Sequence, residues 1–214
     1  GRCGAGALSG AAMAEFTPTR SLAIALAEER RTMREGYAFL DEKGLLLAGQ
    51  MLREVKRHRA LVEQAAPLQA MAERALAAAL LRHGLNGLQV YPAAPGEQRL
   101  RVGRRALLGV EMRDALLEGA HGEPPAAVAA SPEAAACTAA FAAWAARLAE
   151  LAAVSGNLAR LHAEYRKTVR RVRALQDVLL PEVEQTLHEV EASLEELEQD
   201  EAGFLRRAAR AVAG

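Results

Sequence analysis

The sequence predicts an all-α protein: a long two-helix, antiparallel, left-handed coiled coil with a small central domain. Hydrophobic residues make up 51% of the 214 residues but aromatic residues only 4%. The chain is crowded with Ala, Leu, Arg and Glu, which are strong helix formers. Apolar residues recur in alternating steps of three and four between residues 151 and 179, and a similar stripe runs from residue 22 to 61. Such narrow stripes are buried only when one helix packs on another, which is typical of a coiled coil.

The C-terminal helix is predicted over residues 132–214, with Ser131 as its cap and Pro132 in its first turn. Its seam consists of Leu151, Val154, Leu158, Leu161, Tyr165, Thr168, Val172, Leu175 and Leu179. After Leu179 the seam steps by four twice, to Val183 and Leu187, and an extra step of four locally unwinds a supercoil. Pro181 lies at the same place. We therefore expect a bend or a change of partner near residue 181.

The N-terminal helix is predicted over residues 15–83. It begins with Pro18 in its first turn and ends at His83-Gly84. Pro67 is expected to kink or break this helix near residue 66, because proline lacks the backbone N–H and its ring crowds the preceding turn. Residues 1–14 are expected to be an unstructured leader.

The central segment, residues 84–131, loses the helical period and is predicted to form a small loop or hairpin domain. Residues 88–91 and 99–102 alternate in polarity around a Pro- and Gly-containing stretch at 92–98, which favours a short β-hairpin. Residues 107–112 are expected to be another short strand or the start of a helix.

Composition and motifs argue against several classes of function. The net charge is zero, whereas dedicated nucleic-acid binders usually carry a basic excess. Cys3 and Cys137 have no metal-type spacing, which favours a reducing compartment without disulfides. The apolar run at residues 134–146 is too short to span a bilayer, so we expect no direct membrane insertion. No catalytic, cofactor, small-molecule or metal site is predicted.

Two charged stretches remain. The basic run at residues 166–173 is interpreted either as a solvated flank of the coiled coil or as a protein contact. The acidic stretch at residues 182–201 holds nine carboxylates and no Lys or Arg, but no histidine at metal-ligand spacing. We expect it to face the basic residues Arg30, Arg31 and Arg34 of the first helix, because charge pairing sets the register of coiled coils.

Four segments share a pattern with one known family. The chain opens with Phe-Thr-Pro-Thr-Arg at residues 16–20, a basic run leads into Ala174-Leu175, residues 178–181 read Val-Leu-Leu-Pro, and an acidic helix follows. These segments resemble the D subunit of V-type ATPases. Residues 108–111 (Leu-Gly-Val-Glu) also resemble a central segment of that family. Arg173 departs from the family pattern, which usually has Asn there, and residues 41–45 lack a basic run common in the family's first helix.

The resemblance implies a non-catalytic rotor shaft in the central stalk, cytoplasmic and peripheral to the inner face of the cell membrane. Its termini would reach into the hexamer of catalytic A and B subunits, and its hairpin end would engage the F subunit and the membrane-side rotor subunit. Torque would pass between ATP hydrolysis or synthesis and proton or sodium transport. By resemblance, the interface residues are Pro18, Thr19, Arg20, Arg166, Arg170, Arg171, Leu175, Pro181, Phe204 and Arg207.

Two alternatives remain open from the sequence. One is a coiled-coil stalk or adaptor of another ATPase-driven machine, such as a secretion export apparatus. The other is a helical nucleic-acid-binding or scaffold protein, whose binding to nucleic acid would weaken steeply with salt.

Overall fold

The computed structural model describes residues 17–91, 98–119 and 130–212. Its elements in chain order are α1 (Arg20–Gln89), β1 (Arg99–Leu107), β2 (Val110–Glu118), α2 (Pro132–Ala174), a π-helix (Leu175–Leu179) and α3 (Leu180–Val212). Two long helical stretches with a small antiparallel hairpin confirm the predicted fold class. The described residues form two compact units: unit 1 contains residues 17–40 and 170–212, and unit 2 contains residues 41–169. The expected leader lies outside the described residues, and the predicted division into four segments stays a prediction.

Helix α1 begins at Arg20 and is capped by Thr19. The Leu22 N–H donates to Thr19 Oγ1 at 3.2 Å, and the Ala23 N–H donates to the Thr19 carbonyl at 3.1 Å. A threonine hydroxyl satisfies an N–H of the first turn in this way. Pro18 therefore precedes the helix, and the prediction that it occupies the first turn was wrong.

Helix α1 continues through Pro67 and is interrupted at Gly84. Pro67 and Glu63, whose carbonyl loses its helical donor, are both exposed, so water can replace the missing bond. The predicted break near residue 66 is therefore absent. The backbone leaves helical geometry at Gly84, where φ is 67° and ψ is 169°. Glycine tolerates this left-handed φ without the steric cost that a Cβ would add.

In unit 1 the first turns of α1 pair with α3 in an antiparallel arrangement. Arg20 contacts Glu198 at 2.6 Å and Arg34 contacts Glu184 at 2.5 Å. Arg34 lies fourteen residues after Arg20, and its partner Glu184 lies fourteen residues before Glu198, the partner of Arg20. Fourteen residues are two heptads, so the two ion pairs repeat with the coiled-coil period.

A π-helix at Leu175–Leu179 lies a few residues before position 181, and the bend or change of partner predicted there stays a prediction. In the seam of unit 1, half-buried Leu175 is followed by half-buried Leu180 and Val183, then by buried Leu187 and Val190. Leu179, which the sequence assigns to the seam, is instead 39% exposed. The seam therefore takes one step of five from Leu175 to Leu180 and then resumes steps of three and four. A π-turn holds one more residue than an α-turn, so it absorbs the extra residue.

In unit 2 the buried face of α1 follows the heptad period closely. Its buried residues are Gly44, Leu47, Gln50, Glu54, Leu61, Ala65, Ala72 and Ala79. Gly44 lies opposite buried Thr168, with 4.0 Å between an ideal Cβ and Thr168 Cγ2. Farther along, His83 Nε2 and Ser131 Oγ are hydrogen-bonded at 2.6 Å. The order of these contacts makes α1 and α2 antiparallel.

The hairpin is present but lies further along the chain than predicted. β1 pairs with β2 from Arg99↔Glu118 to Leu107↔Val110. Leu108 (φ 53°) and Gly109 (φ 83°) form the turn, and two positive φ values in a two-residue loop match the twist of a hairpin. Residues 88 and 89, expected in a strand, belong to α1.

The hydrophobic core of unit 2 lies where this turn packs between the helices. It contains Leu47 of α1, Val110 and Met112 of β2, and Leu161 of α2. Tyr165 and Met51 pack against it from the two helices. The core therefore anchors the closed end of the hairpin.

Helix α2 begins as the sequence predicts. Ser131 Oγ accepts the Ala134 N–H at 3.1 Å, and Pro132 is the first helical residue. The continuous helical stretch Pro132–Ala211 contains an 18-residue window with a mean hydropathy of 1.3, which by length and composition alone is enough to cross a membrane. The absence of membrane insertion stays a prediction.

Candidate partner-binding surfaces

The N-terminal opening combines a cap with an ion pair. Pro18 is half-buried, whereas Thr19 and Arg20 are exposed. The hydroxyl of Thr19 is engaged by the first turn of α1, and the Arg20 side chain remains 80% exposed although it contacts Glu198. Exposed ion pairs contribute about 0–1 kcal/mol, so Arg20 can exchange this partner at little cost.

The basic run presents its charges outward. Arg166 of unit 2 is exposed, as are Arg170 and Arg171 of unit 1, and Thr168 between them is buried. No ion pair within 4 Å joins these three arginines to another residue in the described ranges. Leu175 is half-buried and contributes to the seam, so its side chain is only partly accessible to a partner. Pro181 is exposed at the start of α3.

The C-terminal end of α3 exposes large apolar side chains. Phe204 and Leu205 are each 66% exposed, and Arg207 is exposed beside them. Exposed aromatic and aliphatic groups next to an arginine are typical of protein contact surfaces. We call residues 204–207 the tip of α3. Because its large apolar side chains are uncovered in the chain, the tip is a candidate docking surface.

The acidic stretch is an electrostatic partner of α1, in part as predicted. Glu184 pairs with Arg34, which was among the expected partners, and Glu198 pairs with Arg20. Arg31 instead approaches Glu35 in its own helix at 4.0 Å. Among the described residues, no group of three or more His, Cys, Asp or Glu side chains is arranged to hold a metal ion.

Sequence reasoning missed an apolar stripe on the outer face of α1 in unit 2. It consists of Leu45, Leu52, Val55 and Val62, which are 70%, 64%, 50% and 43% exposed. We call these four residues the outer stripe. Three of the four follow a buried residue of α1 by one position, and Leu52 follows half-buried Met51, so the stripe has the heptad period too. The signal was present in the sequence as apolar residues spaced by seven, three and seven positions, and such exposed patches mark protein contacts.

Sequence reasoning also missed the polar junction that fixes the hairpin on α2. The fully buried Asn157 accepts the Arg113 N–H through Oδ1 and donates to the Arg113 carbonyl through Nδ2, each at 2.8 Å. Arg160 donates to the Glu111 carbonyl at 2.8 Å and to Asn157 Oδ1 at 2.6 Å. An asparagine amide thus pairs with the outer edge of β2 as a neighbouring strand would.

The electrostatics of the hairpin are dominated by arginine. The Arg113 side chain, hydrogen-bonded to Glu111 at 2.8 Å, lowers the pKa of that carboxyl, and Arg104 and Arg160 act in the same direction. On the opposite side, Lys43 of α1 contacts Glu164 of α2 at 2.7 Å, and both are about one-fifth exposed. These contacts hold elements in place and bring no nucleophile, base or metal-ligand set together.

Long paired helices, a small anchored hairpin and several exposed contact surfaces define a stalk or adaptor protein. The family model for the D subunit of ATP synthase matches residues 23–210, and the chain belongs to that family. It is also similar to the D subunit of the V-type ATP synthase of Thermotoga neapolitana, with 27% identity over 198 residues that cover 92% of this chain and 98% of that one. The chain is therefore a non-catalytic stalk subunit of a rotary ATPase, a membrane-associated complex.

Family membership decides among the functions that the sequence left open. It favours the rotary ATPase over a secretion export apparatus and over a nucleic-acid-binding scaffold. Membership also implies assembly with other subunits of the complex.

Proposed function

We propose that this chain is the rotating central shaft of a V-type ATPase. It transmits torque between the catalytic hexamer of A and B subunits and a membrane-side rotor that carries protons or sodium ions. The observation that carries this proposal is the two-heptad repeat of the Arg20–Glu198 and Arg34–Glu184 ion pairs in unit 1. Both exposed pairs mark the same register, and the buried seam residues Leu187 and Val190 hold it.

A shaft that transmits torque must resist sliding and present unequal faces to the catalytic sites around it. The seam in unit 1 supports the first requirement, because buried Leu187 and Val190 fix the pairing. The second is supported by the β1–β2 hairpin, which adds Val110 and Met112 to the core between α1 and α2 in unit 2. Three catalytic sites around such a shaft would meet different faces at any moment.

We assign each exposed surface to a partner subunit from the chemistry of its side chains and from the family resemblance. We assign the C-terminal tip, with Phe204 and Arg207, to the bearing formed by the A and B subunits. Smooth apolar contacts suit rotation, since a buried ion pair that must break at each step opposes turning. We assign Pro18, Thr19 and Arg20 to the same end of the stalk.

The remaining surfaces are assigned to the other partners. Unit 2 carries the hairpin and the outer stripe, and we assign it to the F subunit and the membrane-side rotor subunit. An apolar stripe with a heptad period is suited to a helix of the partner, which would pack its own stripe there. We assign the basic residues Arg166, Arg170 and Arg171 to the edges of these partner contacts. Leu175 is the first residue of the π-helix, and Pro181 follows it. We therefore propose that the chain lies on the cytoplasmic side, peripheral to the inner face of the cell membrane.

The test is purification of the chain, tagged at its C-terminus, from its native cells at moderate salt, with mass spectrometry of the co-purifying proteins. Recovery of nucleotide-binding A and B subunits with a small F-type subunit, in ratios near three to three to one to one, supports the proposal. Recovery with export-type partners would contradict it. A matched variant carrying Arg34→Glu should reduce that recovery, and adding Glu184→Arg should restore it.

A further inference from the structure

The outer edge of β1 differs from that of β2. Leu107 and Val110 close a two-residue turn, so they form a hydrogen-bonded pair, and such pairs alternate along the hairpin. The backbone groups of Glu111 and Arg113 therefore point away from β1. The bonds that Asn157 and Arg160 make to those groups agree with this assignment. Helix α2 thus covers the edge of β2.

The corresponding groups of β1 are uncovered. By the same alternation, the N–H and C=O groups of Leu100, Val102, Arg104 and Ala106 point outward. Within the described ranges, no hydrogen bond joins these groups to another element. Every residue of β1 except Leu107 is exposed. These four alternate positions of β1 are thus unpaired with any residue that the structure describes.

The side chains of this edge define the chemistry of a partner strand. Leu100 and Val102 point to one face and are 56% and 43% exposed. Arg99, Arg101 and Arg105 point to the other face, where Arg101 stays 75% exposed although it contacts Glu118 at 3.1 Å. The hairpin between residues 99 and 118 carries five arginines and three carboxylates. This positive excess disfavours pairing with the same edge of a second copy, because arginines would lie opposite arginines.

We propose that β1 is a strand-addition site for an extended segment of another subunit, about five to seven residues long, in which acidic and apolar residues alternate. Its backbone bonds to the outward groups of β1, its carboxylates lie beside Arg99 and Arg101, and its apolar side chains cover Leu100 and Val102. The proposal rests on the proposed function only for the identity of the complex that supplies the segment.

Amide hydrogen exchange with single-residue resolution tests this pairing. The isolated chain is compared with the assembly recovered from native cells. In the isolated chain the outward amides of Leu100, Val102 and Arg104 should exchange freely, and in the assembly they should slow by at least about tenfold. The inward amides of Gly103 and Arg105 report in both samples that the hairpin is folded. Outward amides that stay fast in the assembly, or a chain recovered without partners, overturn the proposal.

Two variants separate backbone pairing from charge. Arg104→Pro removes an outward N–H but no β1–β2 hydrogen bond, so protection at Val102 should fall about tenfold in the assembly, whereas Arg104→Ala should keep most of it. Arg99→Glu should also weaken protection, because the partner is acidic. Protection that is unchanged by Arg99→Glu contradicts the acidic partner. The subunits identified in the same sample test the proposed function separately, since strand addition in another complex would refute that function and leave this pairing standing.

Discussion

At the scale of single residues, Asn157 determines how the hairpin is held. Its side chain is fully buried and satisfies both backbone groups of Arg113. Asn157→Ala should leave that N–H and carbonyl without partners, and each unsatisfied buried group costs about 1–3 kcal/mol. We expect the free energy of unfolding, measured by urea denaturation, to fall by roughly 2–4 kcal/mol.

The matched control for Asn157→Ala is Gln185→Ala. Gln185 also uses its amide in a hydrogen bond, to Glu189 at 2.9 Å, but on the exposed surface of α3. Loss of this bond should cost less than about 1 kcal/mol, because water replaces it. Equal effects of the two substitutions would show that burial of Asn157 has no special role.

Glu111 provides a pH-dependent prediction. Its hydrogen bond from Arg113 lowers its pKa below the ordinary value of 4.5 in the folded chain. A lowered folded pKa means that this interaction stabilises the fold above the ordinary pKa and that the contribution is lost as the pH falls through the folded pKa. Arg113→Ala should therefore raise the pKa of Glu111 in an NMR titration of its side-chain carboxyl. Arg104→Ala, which removes a smaller contribution, should raise it less, and the reverse order would disprove this ranking.

At the scale of elements, the π-helix is predicted to be a one-residue insertion in an otherwise regular heptad seam. Deleting Val178, which is 48% exposed, changes the step of five between Leu175 and Leu180 into a step of four. The seam then reads in unbroken steps of three and four. We expect the variant to fold with Leu187 and Val190 still buried, and with slower hydrogen exchange over residues 175–180, because α-helical bonds replace the π-turn.

Deletion of Glu191 is the control for this prediction. Glu191 is an exposed residue in regular α-helix, so its loss rotates everything after it by about 100° relative to the seam. The melting temperature of the full chain should fall by roughly 5 °C or more, whereas deletion of Val178 should leave it equal or higher. If both deletions destabilise the chain equally, the π-helix is not a simple insertion.

At the scale of the whole molecule, the sequence predicts the features that depend on period and misses those that depend on particular contacts. The heptad spacing predicted the helix pairing, and the extra step in the seam marked the site of the π-helix within a few residues. The position of the hairpin was missed because its turn uses Leu108 in the left-handed region, where Asn or Gly is the usual signal.

Two further differences between the predicted and the observed structure also depend on features that only the folded chain shows. Helix α1 continues through Pro67, whose exposed position lets water reach the unpaired Glu63 carbonyl, and exposure follows from the folded structure. The role of Asn157 depends on the edge of β2, which is far away in sequence. The predicted interface residues have mostly exposed positions, but only assembly with partners can test them, since their function lies in contacts outside this chain.

The tip of α3 offers the clearest distinction between stability of the chain and function in the complex. Phe204 is 66% exposed in the chain alone, so Phe204→Asp should change the melting temperature of the isolated chain by less than about 2 °C. If the tip turns inside an apolar bearing of the A and B subunits, the same substitution places an unpaired carboxylate in that bearing, which costs several kcal/mol. Recovery of A and B subunits with the tagged chain should then fall at least about tenfold. Phe204→Leu, which keeps the apolar contact, should retain it. Equal recovery with Asp and Leu at this position would place the A and B contact elsewhere on the stalk.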